Sequence, residues 1–298
     1  MKRFIIIPKS PFLITPHLER FCLRNVPTPC IYENNSCRRI LRIRGVLAPY
    51  LVRIISEGER PKIGVEVFTS DNEVAEIVLR RVGEIYRVGF GYKIFLEKCR
   101  FDEKLYFIAR KYYGLRPTRM VNIYDALIDS IIEQNISLSL ALRIKGRFVK
   151  AYGERKIIRG REFYAFPSPE KIGGLKPLEL KRRIKTTLAK AKAMIEVSRI
   201  YECLPNIREI EVDPDNFIDF ITKVKGIGRW TAQISIAKVS EKFYIGPYGD
   251  LAVRRGFKKI LGIEDEKNIE NYVRKLEDYA GLILYLMALE GHSNHGKR

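Results

Sequence analysis

Two glycines one residue apart, Gly226 and Gly228, constrain the fold of this chain more than any other feature of its sequence. The segments on both sides have helical spacing: apolar residues recur through 217–221, and Trp230 and Ile234 mark one face afterwards. Glycine lets the chain turn sharply because it lacks a Cβ and tolerates positive φ. The sequence therefore predicts two helices joined by a tight hairpin.

The start of the second predicted helix is a candidate anion site. The first amide groups of a helix have no partners within it, and the helix dipole places partial positive charge there. A phosphate oxygen suits both features. Lys225 and Arg229 flank the hairpin and add positive charge. A carboxylate, Asp250, then follows a turn of glycine and proline residues at 246–249.

This arrangement resembles the helix-hairpin-helix superfamily of DNA base-excision glycosylases. The family has a hairpin of the L-P-G-[IV]-G kind, then a helix, then a Gly/Pro-containing turn that ends in an aspartate. Here the hairpin reads VKGIG at 224–228, and GIGRWTA at 226–232 resembles the AlkA branch, 3-methyladenine glycosylase II. Further matches are IEQNIS at 132–137, FPSPE at 166–170 and the last predicted helix, at 272–289. The resemblance therefore extends over most of the chain after about residue 101.

The resemblance implies a mostly helical protein with an N-terminal α+β domain, in the helix-hairpin-helix glycosylase architecture. Alternating apolar residues in 40–47 and 62–68 are typical of strands and indicate an antiparallel sheet. We expect the α+β domain at 1–101, a helical core of two subdomains with the active cleft between them at 102–290, and a flexible tail at 291–298. The first domain is expected to brace the core without contributing chemistry.

The family match assigns the catalytic role to Asp250. Hydrolysis of an N-glycosidic bond passes through a sugar with oxocarbenium character, which a carboxylate can stabilise while it orients or deprotonates water. Asp250 also fits as the N-cap of a helix that begins at Leu251, and the two roles are compatible. The expected base pocket consists of Trp230, Tyr248, Ile234 and Leu251. A lone tryptophan on a helix is also common in a protein core.

Three positions within the motif bear on the reaction. Bifunctional relatives, which also nick the backbone, carry a lysine at the position of Trp230 that forms a Schiff base with the sugar. Tryptophan cannot attack in this way, so we expect a monofunctional enzyme. The AlkA pattern has tyrosines at the positions of Ile234 and Leu251. Because electron-rich rings attract cationic alkylated bases, their loss leaves the preferred base open.

The junction at 132–137 predicts the element that opens the duplex. In relatives it carries the residue that wedges into the space left by the damaged nucleotide, and by position this residue is Asn135. An ordinary interhelical turn is the alternative, because asparagine is common in turns. The predicted DNA-binding residues are Gln134, Asn135, Val224, Lys225, Gly226, Ile227, Gly228 and Arg229.

The net charge of +20 indicates a polyanionic partner, and its distribution favours nucleic acid over an anionic membrane. The segment 141–200 contains 17 Lys and Arg residues against 5 Glu and no Asp. Within it, 181–185 and 190–192 predict a basic helical surface suited to a row of phosphates, although any single lysine there could simply be solvated. The expected partner is double-stranded DNA with damaged bases.

Cysteine and histidine patterns predict no metal site. The five cysteines are scattered without a C-x-x-C pair, and none follows Cys203, where iron–sulfur relatives carry their cluster ligands. We expect no required cofactor and no iron–sulfur cluster, with a monovalent cation at the hairpin carbonyls as the one candidate ion. No apolar run approaches the ~20 residues of a membrane span, and Pro8 and Lys9 end the first apolar run early. We expect an intracellular monomer.

Together these features predict a monofunctional DNA glycosylase that flips damaged, alkylated purines out of duplex DNA and hydrolyses the N-glycosidic bond. A glycosylase with lyase activity on oxidised guanine is the alternative enzyme. A non-catalytic helix-hairpin-helix module that only binds DNA is the alternative from another class. Asp250 disfavours the last alternative, since a pure binder has no chemical need for it.

Overall fold

An antiparallel five-stranded sheet forms the N-terminal part of the protein. The computed structural model describes residues 1–243 and 245–292. The strands run β1 (Lys2–Ile6), β2 (Ile31–Glu33), β3 (Ser36–Ile43), β4 (Val46–Ser56) and β5 (Lys62–Val67). Their order in the sheet is β1-β5-β4-β3-β2, with every pair antiparallel. The predicted antiparallel sheet is confirmed.

The alternating run 40–47 is two strands rather than one. A two-residue turn of Arg44 and Gly45, both with positive φ (48° and 79°), ends β3 and starts β4. This turn type matches the twist of the paired strands, which is why it is common in hairpins.

Helices make up most of the remaining chain. Apart from three short 3-10 segments, they are α1 (Thr15–Phe21), α2 (Asn72–Ile85), α3 (Tyr92–Lys98), α4 (Glu103–Lys111), α5 (Ile123–Glu133), α6 (Leu138–Tyr152), α7 (Pro169–Gly173), α8 (Pro177–Ile184), α9 (Leu188–Arg199), α10 (Ile207–Val212), α11 (Pro214–Ile221), α12 (Arg229–Val239), α13 (Leu251–Leu261), α14 (Glu266–Val273) and α15 (Ala280–His292). A small hairpin of β6 (Arg155–Ile158) and β7 (Arg161–Tyr164) interrupts them, which the helical spacing did not predict. Among the described helices, none has the length and hydropathy to cross a bilayer.

Three main hydrophobic cores organise the chain. The sheet core lies between the sheet and α2. The first helical core is built from α5–α12, and the second helical core from α3, α4 and α13–α15. Tyr92 and Phe95 of α3, which precede the predicted boundary at residue 101, are fully buried in the second helical core. Apolar burial in this core places α3 beside α4 rather than on the sheet. The boundary itself stays a prediction.

The C-terminal helix also differs from the prediction. Glu277 adopts a left-handed φ of 48°, which breaks the predicted helix at 272–289 before α15 begins. Gly291 and His292, expected in a flexible tail, belong to α15, and Gly291 is buried. The rest of that predicted tail lies outside the described residues.

Helices α13 and α15 approach each other through glycines. A Cβ on Gly256 would lie 1.9 Å from the Met287 carbonyl oxygen, and one on Gly291 would lie 2.0 Å from that of Ala252. Only glycine permits this backbone separation. The contact fixes the direction of α13, whose N-terminus carries Asp250.

We expect Gly256→Ala to lower the free energy of unfolding by about 1–3 kcal/mol or more, because the methyl group must displace backbone. Gly83→Ala in α2 is the matched control: its Cβ meets only a Val88 methyl, at 3.4 Å. Helix propensity predicts equal or greater stability for the control. Urea unfolding measures both, and equal stability of Gly256→Ala and wild type would contradict the packing argument.

Candidate active site

Asp250 makes two kinds of hydrogen bond that hold its carboxylate in place. It is the N-cap of α13, where Oδ1 accepts from the amides of Ala252 (2.9 Å) and Val253 (3.2 Å). Its Oδ2 accepts from Trp230 Nε1 at 3.0 Å. The capping role and an oriented carboxylate therefore coexist, as the sequence allowed.

Trp230 lies in the first turn of α12 and is half-buried. Its indole N–H points to Asp250 across the junction of the two helical cores. Sequence reasoning considered Trp230 as a platform for a base or as a core residue, and did not predict this hydrogen bond. The tryptophan thus orients the carboxylate as well as lining the cleft.

A cleft of about 1000 Å³ opens between the two helical cores and α1. Trp230, Ile234, Asp250 and Leu251 all line it, together with Gln134 and Asn135. Tyr248 is the exception among the predicted pocket residues. It is 8% exposed and packs in the second helical core, where burial raises its pKa to about 12.

The cleft has an aromatic wall that sequence reasoning missed. The wall consists of His17 and Phe21 from α1 and Tyr285 from α15. The rings of His17 and Phe21 lie 4.7 Å apart between centroids, and those of Phe21 and Tyr285 lie 6.5 Å apart. The four-residue spacing of His17 and Phe21 puts them on one helix face, but no sequence signal brings that face to α12. Helix α1 of the N-terminal part therefore lines the cleft, in addition to the bracing role that was expected of that part.

His17 is held neutral within this wall. Its ring nitrogens lie 3.0 Å from the Tyr285 hydroxyl and 3.0 Å from the Thr118 hydroxyl. Burial lowers the pKa of His17 to about 3, and the positive charges of Arg87, Arg20 and Lys145 act in the same direction. The aromatic wall consequently carries no charge at neutral pH.

Four ionised side chains form a buried cluster beside the cleft, which we call the ion tetrad. Asp129 and Glu133 of α5 face Lys145 of α6 and Lys238 of α12, with N–O distances between 2.5 and 2.8 Å. Burial raises the pKa of Asp129, but the two lysines outweigh it and lower this pKa to about 2. The tetrad ties three helices together, and loss of one member would leave the cluster with a net charge in a largely buried position.

The glycine hairpin is formed as predicted. Gly226 has a φ of 97°, and Gly228 is the N-cap of α12 with no side chain bonded to the amides of its first turn. No atom lies within 4 Å of where a Cβ on Gly228 would be, so a ligand can approach the backbone there. Lys225 and Arg229 are exposed.

Two of the predicted DNA-binding residues have their side chains in the protein interior. Val224 and Ile227 are buried in the first helical core, where they anchor the hairpin. Only their backbone can face a ligand. The hairpin is therefore anchored to the first helical core by the apolar packing of these two side chains.

Gln134 and Asn135 lie at the end of α5, where the wedge was predicted. Gln134 Nε2 donates to the Gly226 carbonyl (2.9 Å) and to Thr231 Oγ1 (2.8 Å). Asn135 is exposed and left-handed, with φ of 52°. Gln134, the residue before the predicted wedge, therefore joins this turn to the hairpin and to α12 by direct hydrogen bonds.

Comparison with known proteins identifies the family. Residues 128–279 match the profile of HhH-GPD superfamily base excision DNA repair proteins. The chain belongs to this superfamily. The matched region contains Asn135, the hairpin and Asp250, and covers most of the first helical core, whereas the aromatic wall of the cleft lies outside it.

Individual relatives agree with this assignment. A DNA-3-methyladenine glycosylase of Bacillus subtilis is 28% identical over 213 residues, which are 68% of each chain. The solved 3-methyladenine DNA-glycosylase of Archaeoglobus fulgidus superposes with a TM-score of 0.84 at 25% identity, covering 99% of both chains. An 8-oxoguanine glycosylase/lyase of Clostridium acetobutylicum bound to double-stranded DNA has a TM-score of 0.71 at 17% identity, covering 96% of this chain and 98% of that one. This last likeness concerns the fold alone.

The neutral state of His17 predicts a pH effect on stability. As the pH falls below about 6.5, His17 takes up a proton in the unfolded chain but not in the folded one, so stability is lost. This group alone contributes a slope of about 1.4 kcal/mol per pH unit between its unfolded and folded pKa values. We expect His17→Gln to show a shallower loss of unfolding free energy between pH 6.5 and 4. A His17 NMR resonance that titrates near pH 6.5 would contradict this.

Proposed function

We propose that this protein is a monofunctional DNA glycosylase that removes alkylated purines from double-stranded DNA in base excision repair. The observation that carries the proposal is the carboxylate of Asp250, held at the cleft by Trp230 and by the start of α13. The relatives named as 3-methyladenine glycosylases support the substrate class. A module that only binds DNA would have no use for this oriented carboxylate.

The reaction begins when the damaged nucleotide leaves the base stack, because its glycosidic bond is inaccessible inside the duplex. The base then enters the cleft, and the sugar lies near Asp250. As the bond to the base breaks, positive charge develops on the sugar, and the carboxylate stabilises it and orients the attacking water. The Trp230 N–H prevents the carboxylate from rotating away.

The aromatic wall supplies the electron-rich surface that the motif lacks at Ile234 and Leu251. Phe21 and Tyr285 can attract a cationic methylated purine through their ring faces. Neutral His17 extends this surface without repelling the cation, as a charged imidazolium would. This arrangement favours alkylated bases over neutral lesions such as oxidised guanine.

The lysines near the site disfavour lyase chemistry. No lysine occupies the position of Trp230, and Lys238, two turns along α12, donates to Asp129, Ser130 and Glu133. A lysine nitrogen that is held by two carboxylates and a hydroxyl is directed away from a sugar in the cleft and is poorly placed to attack it. We therefore propose hydrolysis without a covalent intermediate.

Metal ions have no part in the proposed chemistry. No group of His, Cys, Asp and Glu side chains suited to a metal occurs in residues 1–243 and 245–292. A monovalent cation at the hairpin carbonyls remains a proposal, and the Gly226 carbonyl already accepts from Gln134. The absence of an iron–sulfur cluster, the monomeric state and the intracellular location also remain predictions.

Asp250→Asn tests the catalytic role. The amide removes the negative charge, so single-turnover base release from a 3-methyladenine duplex should slow by roughly 10²–10⁴-fold. Affinity for the lesion duplex should hold or rise, because a carboxylate repels phosphates. Trp230→Phe is the control: it keeps a ring but loses the donor, and should slow release less. If Asp250→Asn weakens binding while release stays intact, Asp250 is only a helix cap.

Lys225→Ala and Arg229→Ala test the phosphate contact at the hairpin. Each should weaken binding to damaged and undamaged duplexes alike, since phosphates carry no sequence information. Each should also reduce the slope of log Kd against log salt by about 1. The exposed Lys62 of β5 provides the control, and Lys62→Ala should change neither quantity. Equal slopes for all three variants and wild type would remove the hairpin from the interface.

A further inference from the structure

The side chain of Lys190, in α9, reaches the C-terminal end of α5. The sequence places it in the basic run 190–192, yet the residue is 7% exposed. Its Nζ donates to the carbonyl oxygens of Ile132 (2.9 Å) and Gln134 (2.6 Å). Lys190 is therefore directed into the protein and cannot belong to a solvent-facing row of phosphate contacts.

These two carbonyls belong to the turn that carries the wedge. The chain leaves α5 at Gln134 with an extended ψ of 127°, and Asn135 then adopts its left-handed conformation. The last carbonyls of a helix need hydrogen-bond donors from outside the helix. A cation near this end also interacts favourably with the partial negative charge that the helix dipole places there. Lys190 satisfies both requirements. Burial lowers the pKa of Lys190, and the nearby Glu133 opposes this.

The same turn is connected to the hairpin and to helix α12. The Gln134 backbone is held by Lys190, while its side chain donates to Gly226 of the hairpin and to Thr231 of α12. Thr231 follows Trp230, whose indole holds Asp250. A path thus runs from Lys190 through Gln134 to Thr231, and from its neighbour Trp230 to the carboxylate of Asp250. Each step in it is a hydrogen bond or lies within one or two consecutive residues.

Helix α9, which carries Lys190, also supports the hairpin directly. A Cβ on Gly226 would lie 3.4 Å from the Ala193 side chain and 3.9 Å from the Ala189 carbonyl. One helix therefore determines the positions of both the wedge turn and the phosphate-binding hairpin. Any shift of α9 would move both together.

We propose that Lys190 is a positioning residue for extrusion of the damaged nucleotide, acting through the Gln134–Asn135 turn. Lys190 fixes the direction in which Asn135 enters the duplex, relative to the hairpin that grips the backbone. This inference rests on the proposed function and on the predicted role of Asn135 as the wedge. It differs from the basic-surface prediction, because Lys190 then affects base extrusion and not phosphate binding.

Lys190→Met tests this, with Lys192→Met as the matched control from an exposed position on the same helix. Methionine keeps the apolar stem and removes the donors. We expect Lys190→Met to slow single-turnover release of a fully paired lesion by about tenfold or more, since a ~1 Å misplacement can cost ~100-fold. The defect should shrink when the lesion lies in an unpaired bulge, where extrusion is easier. The salt slope of binding should stay at the wild-type value.

The control Lys192→Met should release the base at the wild-type rate from paired and bulged substrates alike. Its salt slope of binding should be unchanged or smaller than that of wild type. Equal slowing of Lys190→Met on paired and bulged substrates would show a general structural defect and overturn the inference. A reduced salt slope for Lys190→Met would make Lys190 a phosphate contact and overturn it too. If Lys190→Met does not fold, Lys190→Gln keeps an N–H donor without the charge, and should show a smaller defect confined to paired substrates.

A double variant and a fluorescence signal separate this inference from the proposed function. In an Asn135→Gly background, which keeps the left-handed backbone but lacks the wedge, Lys190→Met should cause little further slowing. Fluorescence of 2-aminopurine beside the lesion reports extrusion without any chemistry. It should rise on binding of wild type and less for Lys190→Met. A wild type that extrudes the base but never releases it would refute the glycosylase proposal alone, whereas equal signals from both proteins would refute the role of Lys190 alone.

Discussion

The carboxylate of Asp250 joins the two helical cores at the cleft. One oxygen caps α13, which packs in the second helical core, and the other accepts from Trp230 on α12, in the first. Because a carboxylate has two oxygens, it can accept hydrogen bonds from both helices at once. The position of the Asp250 carboxylate is therefore coupled to the relative position of the two cores. The glycine contact between α13 and α15 fixes the position of α13 within the second helical core.

Features that depend on near neighbours could be predicted from sequence. Ser137 caps α6 and Asp213 caps α11, and such caps can be read from sequence because a cap and the amide it accepts from are two or three residues apart. The hairpin was equally predictable, since Gly226 adopts a positive φ that favours glycine. The assignment of Asp250 came from its match to the family motif.

Features that depend on distant packing could not be predicted. His17 and Tyr285 are separated by 268 positions, and no local pattern indicates that they share a wall. Tyr248 lies beside Asp250 in sequence, but the turn directs its ring into the second helical core. Lys190 looked like a surface residue in a basic run. Its burial depends on carbonyls presented by α5, more than fifty residues earlier.

The second helical core is assembled from two separate parts of the chain. Helices α3 and α4 come before the first helical core, and α13–α15 come after it. During synthesis, the apolar faces of α3 and α4 that pack against α13–α15 therefore stay uncovered while the 139 residues 112–250 are made, and the first helical core can already fold in that time. The carboxylate of Asp250 belongs to the late part. Its hydrogen bond with Trp230 can therefore form only after the glycine hairpin of the first helical core has already been made.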